Sequence, residues 1–175
     1  MSDALTDAPL PGIAKILQEN RFIVPDHQRD YSWTEDEVKQ LFDDIEYALE
    51  QNADSYFLGL LVFLSGKNHL TILDGQQRLA TTIIIFSAIR DWLNQYSEHQ
   101  ADASKIQDWY IGRSELGEKD PKPRLTMNLA NNKLFLDYVV KSAAVDDIDT
   151  HYRKLKRHDN QSGIVGGHSI RSSPG

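Results

Sequence analysis

The chain has 175 residues, 40% of them hydrophobic and 26% charged, which excludes a disordered or fibrous protein and predicts one domain with a core; at this length about 70% of the unfolded surface is buried. A two-domain enzyme does not fit, and the absence of cysteine excludes a disulfide framework, a thiol nucleophile and thiolate-ligated zinc. The formal net charge of -7 argues against coating nucleic acid by bulk attraction, so any contact with DNA must be local.

In chain order, the leader Met1 to Asp7 is polar and acidic and has no export pattern. The longest nearly unbroken apolar run, Phe57 to Leu64, is far below the roughly 18 to 20 residues that cross a bilayer, so a cytoplasmic protein without a membrane partner is expected. Ile13, Ile16 and Leu17 sit at helical spacing and lead into the extended piece "RFIV", which Pro25 ends. In "SWTEDEVKQLFDDIEYALEQ" a helix is predicted: Thr34 and Glu37 have capping-box spacing, and Val38, Leu41, Phe42, Ile45, Ala48 and Leu49 share a face. "SYFLGLLVFLS" and "HLTIL", separated by a turn at Gly66 to Asn68, read as a hairpin, with Gly59 marking a bulge or a close backbone approach.

After Gly75 comes the longest helical pattern, through Leu79, Thr82, Ile83, Phe86, Ile89, Arg90 and Leu93. It is apolar on most faces and is expected to be central, packing broadly on the sheet. "KIQDWYIG" reads as a short helix, "GEKDPK" as a loop, "PRLTMN" as a strand and "ANNKLFLDYVVKSA" as an amphipathic helix. The apolar periodicity then stops. Residues 1–150 are therefore expected to form the domain and 151–175 a basic, Gly/Ser-rich, disordered tail; the tail's Arg153, Lys154, Lys156, Arg157 and Arg171 face one acid, Asp159.

Two polar motifs stand at element ends. In "TILDGQQRLATT" a strand ends at Asp74-Gly75 and a long helix begins, a junction with free N–H groups, a glycine that lets a phosphate approach, and Arg78 one turn in with a fork suited to phosphate oxygens. Asp74 could hold magnesium or orient a water, and Gln76 and Gln77 could position a water or a base edge. The plainer reading is an Asp-Gly helix start followed by ordinary solvent-facing residues. In "IVPDHQRDYSW", Gln28-Arg29 follows a strand, with Tyr31 and Trp33 close behind, a set that can hold a phosphate and stack on a base. Its plainer reading has both aromatics anchoring the loop, which suits Trp33 beside the helix cap, and Arg29 paired with an acid such as Asp36. If the two preceding strands are parallel neighbours, both motifs open at one edge of the sheet.

Taken together, "VPDHQRDYSW", "YFLG", "LDGQQRLATT" and "PRLTMN...LF", in this order from about Ile13 to Val140, resemble the N-terminal domain of the GmrSD family of modification-dependent restriction proteins. The resemblance implies an α+β, ParB/sulfiredoxin-like fold with a small mixed sheet, several helices and a long central one after the DGQQR motif. It also implies binding and hydrolysis of a nucleoside triphosphate with magnesium, sensing of modified or foreign DNA, and work with a His-Me-finger (HNH-like) nuclease in anti-phage defence. By residue, Asp74, Gly75, Gln76, Gln77 and Arg78 match the nucleotide motif and Gln28, Arg29, Tyr31 and Trp33 the first motif. The implied catalytic set is Asp74, Gln77, Arg78 and Arg29, with Asp74 as magnesium ligand. His27 stands where the family usually has an aromatic.

The Walker sequence GxxxxGK[ST] is absent, so the nucleotide site must be of another design. His151, His158 and His168 come without an acidic or Asn constellation, so no nuclease activity is expected of the chain alone. Two alternatives to an NTPase remain: a non-catalytic nucleotide- or DNA-sensing subunit, and a shortened inactive remnant.

Overall fold

The structure, a computed structural model, describes residues 11–143. The polar leader, the basic tail and its three histidines lie outside the described residues. Helix α1 (Ile13–Glu19) buries Leu17 completely, and the Asn20 side chain closes its end by donating to the Ile16 carbonyl at 3.0 Å. Strand β1 (Phe22–Ile23) follows and Pro25 ends it. Helix α2 (Glu35–Glu50) starts at Thr34, whose N–H and hydroxyl both donate to the Glu37 carboxylate, as the capping-box spacing predicts. Strands β2 (Val62–Ser65) and β3 (Leu70–Asp74) form the expected antiparallel hairpin.

The first hairpin arm is shorter than the sequence suggests, because residues 55–61 run without ladder bonds and cross the start of the next helix. Gly59 has φ +106 and lies against the Arg78 guanidinium, so it marks a close approach; the register irregularity falls between Val62 and Phe63.

Helix α3 (Gln76–Leu93) is the longest described helix, as expected. It packs chiefly on α4 (Gln100–Ile106) and on two wider, π-helical turns at Gln107–Ile111 and Phe135–Val140, rather than broadly on the sheet. The reason is the sheet's size: β1 and β6 are two residues long and offer little face to cover. Leu79 and Ile83 join Phe22, Ile72 and Leu125 in one core with Ile111, Met127, Phe135 and Val140. Burying side chains of this size contributes about 1.5 to 3 kcal/mol each.

Strands β4 (Gly112–Arg113) and β5 (Lys122–Pro123) make a small antiparallel pair. Strand β6 (Leu125–Thr126) and helix α5 (Leu129–Leu134) complete the described chain together with the 135–140 turn. The main sheet has the order β2-β3-β1-β6, with β1 parallel to both β3 and β6. This is the mixed sheet with helices of an α+β protein, with five α-helices among the described residues. No described helix is long and apolar enough to cross a membrane.

Candidate functional site

In the parallel register Phe22↔Leu70 and Ile23↔Thr71, β1 and β3 run in the same sense, with β3 continuing to Asp74, so the loops that follow them emerge at one edge of the sheet. There they line a cleft of about 140 Å³ with Gln28, Arg29 and Trp33 from one loop and Asp74 to Arg78 from the other. The juxtaposition anticipated from the sequence is therefore present. Of the sequence-predicted residues, only Tyr31 is turned away from the cleft. Its hydroxyl meets Thr81 Oγ1 at 2.8 Å beside α3, and burial raises its pKa above the ordinary phenol value, partly offset by the Thr81 bond. Trp33 is half-buried and forms part of the wall.

The turn into α3 rests on Gly75, which caps the helix in the left-handed region at φ +88. Asp74 does not occupy the cap; its Oδ1 accepts the Gly75 N–H at 2.8 Å while the side chain stays exposed. The first bond inside α3 is from Leu79 N–H to the Gly75 carbonyl, so the backbone N–H groups of Gln76, Gln77 and Arg78 are the helix's unbonded donors at its positive end.

The two glutamines are the larger surprise. Gln76 and Gln77 are 7% and 5% exposed, and each clasps the first loop. Gln77 donates to the Asp30 carbonyl at 3.1 Å and accepts the Ser32 N–H at 3.0 Å, which engages both ends of its amide. Gln76 donates to the Arg29 carbonyl at 2.9 Å, and its Oε1 is buried without a partner. Gln28 in turn donates to the Leu73 carbonyl at 3.2 Å. A neutral, satisfied amide buried between two backbone segments acts as a rivet.

Arg29 and Arg78 are the cationic side chains of the cleft, and neither has a carboxylate within 4.0 Å among the described residues. The alternative pairing of Arg29 with Asp36 is not formed; its electrostatic neighbour is Glu37, whose carboxylate is held below its ordinary range first by the Thr34 hydrogen bonds and only weakly by Arg29. The Arg78 fork lies over Gly59, with its Nη1 donating to the Leu60 carbonyl at 3.4 Å. Asp74 is the one carboxylate lining the cleft, and no group of three or more metal-ligating side chains occurs among the described residues.

Sequence reasoning missed what holds the first loop from behind. Asn128 at the start of α5 donates to the Gln28 carbonyl and to the Asp30 carboxylate, both at 3.1 Å, and Asp26 accepts the Leu129 N–H at 3.2 Å. An Asn before a helix signals a cap, but nothing in its spacing says that it reaches a loop 100 residues earlier.

No curated protein matches the chain. Residues 13–164 match the family described as "GmrSD restriction endonuclease, N-terminal domain", a span that includes both strands, both arginine loops and the helix behind them. The chain thus belongs to the GmrSD restriction endonuclease N-terminal domain family.

Proposed function

We propose that this domain, a ParB/sulfiredoxin-like variant of the α+β class, binds the phosphates of a nucleoside triphosphate at the Arg29/Arg78 cleft and hydrolyses the terminal one. The observation that carries this reading is the pair of arginines without carboxylate partners, delivered by neighbouring parallel strands to one helix start. Unpaired guanidiniums and free helix N–H groups favour an oxyanion between them. A cleft of about 140 Å³ is below the roughly 300 Å³ of ordinary small-molecule pockets, so it suits the phosphate end, with the nucleoside outside.

Asp74 suits magnesium, which is commonly held by one or two carboxylates together with phosphate oxygens. When bound there, the ion supplies charge neutralisation between the outer phosphates. Water attacks the terminal phosphorus, the bond to the bridging oxygen breaks, and a nucleoside diphosphate, inorganic phosphate and a proton leave. Arg29 and Arg78 stabilise the charge on the transferring group. Gln77 is a positioning residue, since both ends of its amide are engaged, and Gln76 holds the Arg29 carbonyl beside it.

In this reading the domain is the nucleotide-responsive part of a restriction system directed at modified or foreign DNA, acting with a His-Me-finger nuclease. A sensor that binds without turnover is favoured by one fact, that Asp74 is the single carboxylate in the cleft. Phosphate release with each triphosphate and magnesium, with and without modified DNA, decides between them. Turnover lost in Arg78→Ala, with affinity falling at least about tenfold, supports the NTPase; tight binding without release supports the sensor; equal binding by folded Arg78→Ala rejects the site.

A further inference from the structure

At the other end of the sheet, where β1 and β3 begin, a larger cleft of about 410 Å³ opens. Arg21, Lys67 and Arg124 line it against the one carboxylate of Glu19, with His69 and Asn68 beside them. In a chain of net charge -7 this is a local excess of cations.

Arg124 is the informative member. Its backbone ties β1 to the 107–111 turn, donating to the Ile111 carbonyl at 2.8 Å and accepting the Phe22 N–H at 2.7 Å, so its side chain is carried inward and is 9% exposed. One Nη donates to the neutral carbonyl of Asp108 at 3.0 Å, and Nε has no partner. No carboxylate lies within 4.0 Å of it among the described residues. Burial lowers its pKa, the Arg21 and Arg113 guanidiniums lower it further, and the Asp108 carboxylate opposes them last. None of the nearby carboxylates reaches Arg124: Glu115 pairs with Arg21 of this cleft and with Lys122, Glu118 lies by Lys122, and Glu19 by Lys15. A buried guanidinium with an unpartnered Nε and two further guanidiniums nearby is costly unless an anion is supplied from outside.

We infer that this cleft is a second phosphate-binding site, in which Arg21, Lys67 and Arg124 receive a phosphate group and Asn68 adds a neutral donor. The site is separate from the Arg29/Arg78 cleft, because the five residues of β3, at about 3.3 Å each, and the core around Ile72 lie between them. Its donors outnumber its acceptors, as a phosphate requires. The group can be free phosphate or part of a nucleic-acid backbone, and Lys67, exposed in the hairpin turn, is placed to meet either.

The test is a titration of the full, isotope-labelled chain, followed by amide and arginine Nε–H resonances, first with inorganic phosphate and then with a short DNA duplex. Shifts are expected at Arg21, Lys67, Asn68 and His69 and in the Arg124 Nε–H signal. Lys67→Glu, an exposed change that leaves the core untouched, is expected to weaken binding about tenfold. Arg124→Lys, which keeps the charge but loses the fork, adds a second measure if it folds. Tighter, salt-dependent binding of the duplex at the same residues assigns the phosphate to nucleic acid; tighter binding of inorganic phosphate assigns a free ligand. Shifts absent from these residues, or confined to Asp74 to Arg78, overturn the inference, as does unchanged affinity in Lys67→Glu.

Discussion

Gly75 carries two constraints that separate substitutions can tell apart. Its φ of +88 disfavours any side chain, and an added Cβ would overlap Leu61 Cδ2 and stand 3.0 Å from the Leu60 carbonyl oxygen. Gly117 has the same φ with nothing within 4 Å. Gly117→Ala should therefore cost about 1 kcal/mol from strain alone, and Gly75→Ala clearly more, measured by denaturant unfolding. Equal losses at both positions would mean that the 55–61 segment yields freely. At this scale the sequence named the residues of the cleft but not what they do. Gln76 and Gln77 read as water-positioning or solvent-facing groups because their partners, the carbonyls of Arg29 and Asp30, lie 47 residues back and leave no mark on local spacing.

Between elements, the decisive feature is the parallel pairing of β1 and β3, which turns two distant loops into two walls. If Arg29 and Arg78 act on one phosphoryl group, a double-mutant cycle on turnover with Arg29→Ala and Arg78→Ala should be non-additive, the double variant being little worse than the worse single one. Unchanged turnover in Arg29→Ala sinks the shared cleft. The start of α2 gives a pH prediction. The folded-state pKa of Glu37 is depressed, so its contribution is present above the unfolded value of about 4.3 and is lost as pH falls through the folded value. Glu37→Gln should flatten the acid limb of the thermal midpoint below about pH 4.3. Helices and the hairpin were legible because capping and periodicity are local. The two-residue strands β4 and β5 were not, since their pairing is set by partners rather than by pattern.

Across the molecule, α2 stands out as a helix with one buried side chain, Leu41, while Phe42, Tyr47 and Leu49 remain exposed. Its apolar face was correctly read as amphipathic, yet amphipathicity states that a face needs cover and not what covers it. The α+β class followed from the family resemblance rather than from periodicity, and the order β2-β3-β1-β6 required the tertiary structure. Purified chain should leave supercoiled plasmid intact with magnesium or manganese, since the sequence carries no cysteine and no HExxH pattern. Metal-dependent nicking that is abolished by His151→Ala or His158→Ala would contradict this.

The amide of Asn128, which pins the Gln28 carbonyl, also sets a clock for the newborn protein. During synthesis the Gln76 and Gln77 clasps on the first loop can form once α3 has emerged, but the pin from α5 waits until Asn128 has cleared the ribosome. A nascent chain stalled before that residue should hold the first loop by its Gln76 and Gln77 clasps, with the Gln28 carbonyl still unpinned.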